Sequence, residues 1–194
     1  MAQASKTLHS EIAIAGGGPV GLTLALALAR RGFETLVGDG IAPPKAGKPT
    51  GKLSADSRAY FIAYGCWRVF RALGLEDALL TSAQPVTTVE AKGRIGGISF
   101  LAEDCATPVL GYMVEASALL PVLHEQVKAE AKIKLVAPAK IESATFGDPQ
   151  VSLSTDKGEV RASLVVACDG AKSVVRRASG LRFEGWDYDA RAIS

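Results

Sequence analysis

Residues 12–21 read IAIAGGGPVG, and this stretch decides the fold. The apolar run at 12–15 enters glycine directly, as a buried parallel strand does. Residues 22–31 are rich in leucine and alanine and are followed by Gly32, which predicts a helix and its end. Residues 33–37 form a second short apolar run. The order of strand, glycine turn, helix and strand predicts a βαβ unit.

The glycine spacing in this turn matches the pattern G-x-G-x-x-G. Gly16 permits a tight turn, Gly18 lets a pyrophosphate approach the backbone, and Gly21 lets the helix pack close to the strand. The free N–H groups at the start of the helix attract phosphate. The sequence therefore predicts a dinucleotide site, and the alternative is a glycine-rich loop that binds nothing.

The neighbours of these glycines complete the predicted site. Pro19 and Val20 stand between the last two glycines, where the helix begins. Asp39 comes 18 positions after Gly21, and Gly40 follows it. A carboxylate at this place accepts hydrogen bonds from ribose hydroxyls and disfavours a 2′-phosphate. FAD and NAD share this half-site, so the fingerprint alone leaves the choice between them open.

A second turn near the end of the chain resolves that choice. The apolar residues 163–167 lead into Asp169 and Gly170, with Ser173 and Arg176 three and six positions beyond the glycine. With the first turn, this D-G-x-x-S-x-x-R pattern resembles the FAD-dependent aromatic hydroxylases of the p-hydroxybenzoate hydroxylase type. The resemblance implies that Asp169 and Gly170 lie near the FAD pyrophosphate and the nicotinamide route. Ser173 and Arg176 are expected to hold the turn in shape, and the alternative for Asp169 is a simple Asx turn.

The region between these two turns resembles the ubiquinone-biosynthesis hydroxylases within that family. Residues 56–58 read Asp-Ser-Arg, residues 73–75 read Leu-Gly-Leu, and residues 111–115 read Gly-Tyr-Met-Val-Glu. In these enzymes the arginine corresponding to Arg58 lies close to the FAD, which makes Arg58 a candidate cofactor contact. The alternative is a solvated loop arginine.

The resemblance implies an α/β fold: a Rossmann-like FAD-binding domain over 1–194, with a mainly parallel sheet plus an antiparallel β insertion. We expect residues 1–84 and 104–180 to form the nucleotide-binding core and 85–103 to begin the substrate-side β region. We also expect the chain to be truncated relative to the family, without the C-terminal substrate half. The further predicted elements are a loop over 41–56, helices over 57–73 and 116–131, and strands over 86–92, 97–101, 111–114, 133–136, 139–146 and 151–155.

Composition limits the classes of partner. The 22 basic and 20 acidic residues nearly balance and aromatic residues make up 6% of the chain, which argues against a nucleic-acid binder. The three cysteines are expected to be reduced and mostly buried. His9 and His124 lack metal-ligand spacing, so no metal is expected, and His124 is expected on a helix surface. The predicted location is cytoplasmic; peripheral association with the inner membrane, association with other enzymes, and the oligomeric state are left open.

The function implied by the resemblance is FAD-dependent hydroxylation of an aromatic ring, a polyprenylated phenol of ubiquinone biosynthesis, using NAD(P)H and O2. Flavin carries the chemistry in such enzymes, so no catalytic side chain is predicted. We do not expect the 194 residues to be active alone. The alternatives are an inert or weakly FAD-binding fragment without catalysis, or another flavoenzyme on the same scaffold, such as an epoxidase or a prenyl reductase.

Overall fold

The computed structural model describes residues 7–44, 58–186 and 188. The chain divides by its internal contacts into two units, one made of Met1–Pro44 and Leu123–Ser194 and the other of Lys45–Val122. The strands are β1 Thr7–Ala15, β2 Thr35–Gly38, β3 Ala59–Ala63, β4 Ala83–Val86, β5 Thr88–Lys92, β6 Gly97–Leu101, β7 Gly111–Glu115, β8 Ile133–Val136, β9 Ile141–Phe146, β10 Val151–Thr155 and β11 Gly158–Ala167. The helices are α1 Pro19–Ala29, α2 Tyr64–Ala72, α3 Glu76–Leu80, α4 Ala116–Ala129 and α5 Val174–Ala178.

The first unit is built on a six-stranded sheet in the order β8-β2-β1-β11-β10-β9. The first four strands run parallel, and β10 and β9 continue the sheet as antiparallel neighbours. β1 lies in the middle, and its residues Ala13, Ile14 and Ala15 are completely buried. A strand covered on both faces needs the continuous apolar run that the sequence shows. The predicted fold class, a mainly parallel sheet with added antiparallel strands, is confirmed.

Helix α1 covers one face of this sheet. It packs on β1, β2 and β8 and buries Leu22, Ala25 and Leu26. The helix begins three residues before the predicted start, because a proline is well accommodated in the first helical turn, where its missing N–H is not needed. The other face carries a cluster to which β10, β11 and α5 contribute Leu153, Val160 and Val175.

The second unit holds a three-stranded antiparallel sheet in the order β3-β7-β4. Trp67 of α2 is fully buried and stacks on Tyr112 of β7, with 4.1 Å between the ring centroids. Phe70, one helical turn further on, meets Trp67 edge to face. These rings hold α2 against β7. Strands β5 and β6 form a separate two-stranded hairpin.

The prediction of one helix over 57–73 is wrong in its first part. Ala59–Ala63 is the strand β3, which pairs along its whole length with β7, and helix α2 starts only at Tyr64. The aromatic and branched residues at 60–62 favour a strand once a partner strand is available. The predicted strand over 86–92 is divided into β4 and β5. Of the predicted loop, 41–44 is neither helix nor strand and 45–56 lies outside the described residues.

Two predictions about single side chains are also wrong. Cys66 and Cys105 are exposed and only Cys168 is partly buried, so the thiols are not mostly buried. Cys66 lies on α2 and Cys105 lies in a short 3-10 turn. His124 is half-buried in α4, and its Nδ1 atom is buried without a hydrogen-bond partner. The predicted division into a core and a substrate-side region stays a prediction.

Candidate cofactor site

Three parallel strands of the first unit end side by side. Ala15 of β1 lies opposite Gly38 of β2 on one side and opposite Ala167 of β11 on the other. Backbone hydrogen bonds continue this alignment past the strand ends, because the Gly16 N–H donates to the Gly38 carbonyl and the Cys168 N–H to the Ala15 carbonyl, both at 2.7 Å. The parallel pairing thus brings together the glycine turn, Asp39 and the Asp169–Gly170 turn. These segments are far apart in sequence but lie side by side at the carboxyl ends of β1, β2 and β11.

Two glycines of the turn are required because a side chain at either position would clash with the backbone. Gly16 has a φ of +110°, and a Cβ there would lie 2.3 Å from the Cys168 carbonyl oxygen. A Cβ on Gly21 would lie 1.9 Å from the Gly16 carbonyl oxygen. Gly18 differs from both, because no atom lies within 4 Å of its Cβ position. Among the described residues, no close contact requires a glycine at position 18, and the open space there would let a ligand approach the backbone.

The start of helix α1 presents free backbone donors. Gly18 is its N-cap and has an extended conformation. Because glycine has no side chain, the helix has no side-chain cap, and no acidic residue lies in the first turn. Pro19 occupies the first turn and Val20 is 71% exposed. An uncapped helix start carries unpaired N–H groups and a partial positive charge, which together favour an anion.

Asp39 ties the end of β2 to the glycine turn. Its Oδ2 accepts a hydrogen bond from the Gly17 N–H, and its Oδ1 accepts one from the Ile41 N–H at 2.6 Å. A carboxylate has about four acceptor positions, so both oxygens retain capacity for a ribose hydroxyl. Gly40, next to it, is exposed. Gly17 was missed by the sequence analysis because the fingerprint treats its position as a spacer.

The second turn is shaped by its own side chains. Asp169 Oδ2 accepts hydrogen bonds from the N–H groups of Val174 at 2.7 Å and Val175 at 3.4 Å. Ser173 caps α5 by accepting from the Arg176 N–H at 2.9 Å, and the Arg176 guanidinium donates to a carbonyl of the turn. Ser173 and Arg176 therefore hold the turn in shape, as predicted. Gly170, at the tip, has a φ of +81°.

Asp169 keeps one unused acceptor. Its Oδ1 is buried and has no hydrogen-bond partner, which makes it one of the few such atoms among the described residues. An unsatisfied buried acceptor is costly, and a donor arriving at this place would remove the cost. The charge of Asp169 also acts on its neighbour, since burial and then this carboxylate raise the pKa of the Cys168 thiol.

Arg58 is placed by the structure in the second unit, just before β3. Its carbonyl accepts a hydrogen bond from the Ala116 N–H at 2.8 Å, and its guanidinium carbon lies 6.0 Å from the centre of the Tyr60 ring. The other nine predicted residues lie in the first unit, on the segments that follow β1, β2 and β11. The role of Arg58 toward a cofactor stays a prediction.

Comparison with known proteins identifies this arrangement. The family described as FAD binding domain matches residues 9–194. The chain belongs to this family. It is 34% identical over 185 residues to 3-demethoxyubiquinol 3-hydroxylase of Escherichia coli, covering 92% of this chain and 46% of the relative. It is also 34% identical over 187 residues to ubiquinone hydroxylase UbiL of Rhodospirillum rubrum, covering 95% and 42%.

The fold is shared with solved structures. The flavin-dependent monooxygenase PieE, whose crystal structure is in complex with FAD and substrate, aligns with a TM-score of 0.73 at 23% identity, over 92% of this chain and 33% of PieE. At this identity the likeness concerns the fold alone. The chain spans less than half the length of the curated relatives reported above.

The residues of this FAD binding domain fit FAD. The uncapped start of α1 and the open space at Gly18 suit a pyrophosphate. Asp39 and the unpartnered Oδ1 of Asp169 are acceptors that suit hydroxyl groups rather than phosphate oxygens, since carboxylate and phosphate repel each other. The described residues contain no group of three His, Cys, Asp or Glu side chains that could hold a metal ion. Among the helices that the structure describes, none has the length and apolar character needed to cross a bilayer.

Proposed function

We propose that this chain is the FAD-binding part of a monooxygenase that hydroxylates an aromatic ring, a polyprenylated phenol of ubiquinone biosynthesis, with NAD(P)H as reductant and O2 as oxidant. The observation that carries the proposal is the meeting of the glycine turn, Asp39 and the Asp169–Gly170 turn at one edge of the sheet. The substrate class rests on the two hydroxylases that are 34% identical to this chain over the aligned 185 and 187 residues.

The glycine turn is proposed to bind the pyrophosphate. The backbone between Gly16 and Gly21 surrounds the helix start, and Gly18 leaves the space that a phosphate needs. Pro19 and Val20 expose the first turn of α1 without adding a competing polar side chain. The phosphate charge is then offset by oriented N–H groups and by the helix dipole.

The two carboxylates are proposed to orient the cofactor through its hydroxyl groups. Asp39, with Gly40 beside it, is placed for the adenosine ribose, because it follows β2 on the side of the glycine turn. Asp169 supplies the buried acceptor Oδ1, and Gly170 opens the tip of the same turn. Arg58 is proposed as a further contact from the second unit, on the resemblance alone.

Bound FAD supplies the redox chemistry by taking electrons from NAD(P)H and activating O2. The protein residues named here bind and orient the cofactor, and no side chain is assigned a proton-transfer step. Hydrogen bonds hold the side chains of Asp39 and Asp169 in their turns, and these bonds would help to orient a bound cofactor. A polyprenylated substrate also suggests contact with a membrane surface.

FAD titration tests the cofactor part of the proposal. The purified chain is expected to take up FAD and show the flavin absorbance band, with quenching of free FAD fluorescence. Substrate-dependent NAD(P)H oxidation and product analysis test the reaction, with a prenylated phenol and with a water-soluble phenol. A chain that retains no flavin after excess FAD has been removed would refute the cofactor assignment.

A second candidate function is supported by the short overlap with the relatives. The chain covers 46% and 42% of the two hydroxylases, so FAD binding without hydroxylation by these 194 residues is the alternative. The same assays separate the two functions. Hydroxylated product formed by these 194 residues would exclude the second candidate and contradict the expectation that they are inactive alone. Flavin uptake with NAD(P)H oxidation but no hydroxylated product agrees with that expectation.

A further inference from the structure

The segment between β8 and β9 is joined to the end of β2. β8 lies beside β2, with Val136 opposite Gly38. Beyond the strand ends, the Asp39 N–H donates to the Val136 carbonyl at 3.2 Å, and the Ala139 N–H donates to the Asp39 carbonyl at 2.6 Å. Residues 137–140 therefore run along Asp39, at the same sheet edge as the glycine turn. The predicted cofactor residues include none from this segment.

Lys140 ends this segment, and its side chain runs along Gly40. A Cβ on Gly40 would lie 3.8 Å from the Lys140 Cβ and 4.0 Å from its Cγ, which is ordinary van der Waals contact. Both flanking residues, Ala139 and Ile141, are buried, whereas Lys140 is exposed. Because Gly40 directly follows Asp39, the lysine stem lies close to the proposed ribose site.

The backbone of Lys140 is held in place by Asp156. The Lys140 N–H donates to Asp156 Oδ1 at 2.8 Å, and the Lys140 carbonyl accepts from the Asp156 N–H at 3.1 Å. The other carboxylate oxygen of Asp156 lies 3.8 Å from the ammonium group of Lys157. Among the residues that the structure describes, Lys140 forms no ion pair. The stem is thus anchored at its base, while within this part of the chain its three N–H donors are not bound to a carboxylate.

The strand order separates Lys140 from the glycine turn. Neighbouring strands lie about 4.8 Å apart, and β2 lies between β1 and β8. The segment after β8 is therefore on the side of Asp39 away from the glycine turn, which is proposed to bind the pyrophosphate. A dinucleotide that extends from the glycine turn past Asp39 would bring its adenosine to Lys140. Adenosine offers acceptors in its ring nitrogens and ribose oxygens, and an ammonium group supplies donors.

We propose that Lys140 is a further cofactor-binding residue, whose ammonium group donates hydrogen bonds to the adenosine half of FAD. Asp39 accepts from the ribose hydroxyls while Lys140 donates to acceptor atoms of the same nucleoside, so the two side chains complement each other. The positive charge of Lys140 also offsets the repulsion that Asp39 alone would exert on the pyrophosphate. This role of Lys140 rests on the proposed function, and the glycine fingerprint does not contain the residue.

ADP is the probe for this role, because it contains adenosine and two phosphates but no flavin. Calorimetric titration of the whole chain gives the Kd of ADP, and fluorescence quenching gives the Kd of FAD. We expect Lys140→Met, which keeps most of the stem and removes the charge, to raise both Kd values by roughly threefold to tenfold. Lys140→Arg keeps a cationic donor, and its Kd values should stay within about twofold of those of the wild type.

Lys134→Met is the matched control. Lys134 is also an exposed lysine of the first unit, but it lies opposite Leu36, two residues before the end of β8. The substitution makes the same change in net charge, and both Kd values should equal those of the wild type. Lys140→Met leaves the backbone hydrogen bonds to Asp156 intact, so its Tm should be unchanged. Lys140→Gln takes its place if the methionine variant fails to fold.

The role of Lys140 and the proposed function fail in different ways. FAD uptake by the wild type with unchanged affinity in Lys140→Met would overturn the role of Lys140 and leave the proposed function standing. ADP binding that Lys140→Met weakens, without any FAD uptake, would support Lys140 at an adenine-nucleotide site and count against the proposed function. A loss for Lys134→Met or Lys140→Arg as large as that for Lys140→Met would also overturn the role. A wild type that binds neither ADP nor FAD would refute both.

Discussion

The backbone N–H of Gly17 donates a hydrogen bond to Oδ2 of Asp39, 22 residues further along the chain. This bond joins the turn after β1 to the end of β2, and a Cβ on Gly17 would lie 3.0 Å from the Asp39 Cβ. The acidic residue of the fingerprint is thus part of the turn itself. Its carboxylate position is fixed before any ligand arrives, which reduces the entropy lost on binding.

Gly18→Ala is expected to lower FAD affinity at a cost of no more than about 1 kcal/mol of stability, which arises because glycine is preferred over alanine at an N-cap. No atom lies within 4 Å of the Gly18 Cβ position, and its φ of −77° is open to alanine, so the folded chain accommodates the methyl group. A phosphate against the backbone would not, and we expect at least a tenfold rise in Kd for FAD. Thermal unfolding and FAD titration measure the two effects.

Two other glycines serve as controls for this substitution. Gly21→Ala should destabilise the fold by about 1–3 kcal/mol or more, because its methyl group meets the Gly16 carbonyl. Gly65→Ala, in α2 with open space around it, should raise stability by up to about 1 kcal/mol and leave FAD affinity unchanged. Equal FAD affinity for Gly18→Ala and wild type would mean that the cofactor does not approach this backbone.

Asp169→Asn is expected to separate folding from cofactor binding. One side-chain oxygen still accepts from the Val174 N–H, while an amide group replaces the buried, unpartnered Oδ1. The substitution exchanges one unpartnered buried polar group for another and replaces a carboxylate by a neutral acceptor for the Val174 N–H, so the free energy of unfolding should change by no more than about 1 kcal/mol. If a flavin hydroxyl donates to Oδ1, the same substitution weakens FAD binding several-fold.

The comparison variant for Asp169 is Ser173→Ala. It removes the N-cap of α5, whose Oγ accepts from the Arg176 N–H, and should cost about 1 kcal/mol of stability. Its effect on FAD affinity should be smaller than that of Asp169→Asn. A loss of stability in Asp169→Asn together with normal FAD affinity would assign Asp169 to the turn alone.

Local patterns sufficed to predict the first βαβ unit. The buried run at 12–15, the glycines and the helix formers after them are all adjacent in sequence, and the structure confirms their order. The Asp169–Gly170 turn was also visible, because an apolar strand leads directly into it. Its position beside the glycine turn depends on β1 and β11 pairing in parallel, with Ala15 opposite Ala167, and the sequence contains that information only through the family resemblance.

Non-local pairing explains what the sequence analysis missed. The local pattern predicts a helix where β3 lies, because the partner strand β7 is about fifty residues away and only that pairing makes residues 59–63 a strand. The Gly17–Asp39 bond likewise follows from the alignment of β1 with β2. His124 looked like a surface residue because helical periodicity does not show what packs against a half-buried face.

Glu76→Gln is expected to reduce the loss of stability in acid. Glu76 accepts hydrogen bonds from Arg71 (2.6 and 2.8 Å) and from Trp67 Nε1 (2.8 Å). The Arg71 hydrogen bond, and then that of Trp67, lower the pKa of Glu76 from its usual value. A lowered carboxyl pKa in the fold stabilises the protein above the unfolded pKa, and this contribution is lost as the pH falls through the folded pKa.

The measurement for Glu76 is Tm between pH 6 and pH 3. The wild type should lose part of its stability below about pH 4.5, and Glu76→Gln should start lower at pH 6 and fall less steeply. In a Trp186→Phe background, Trp67 fluorescence reports the same network, since its indole donates to this carboxylate. Glu125→Gln, an exposed position on α4, should behave like the wild type, and an identical acid slope for Glu76→Gln would contradict the prediction.

His124→Leu is expected to stabilise the protein and to flatten its pH dependence near neutrality. The Nδ1 atom is buried without a partner, so an apolar side chain should add about 1 kcal/mol at pH 7.5. Burial lowers the pKa of His124, partly opposed by the charge of Asp39. The unfolded chain therefore binds a proton at higher pH than the folded one, and wild-type stability should fall as the pH drops below about 6.5. The measurement is thermal unfolding between pH 7.5 and pH 5. The wild type and His9→Leu, which changes the other, exposed histidine, should lose stability as the pH falls, whereas His124→Leu should lose much less. Equal pH dependence in all three proteins would mean that another group causes the loss.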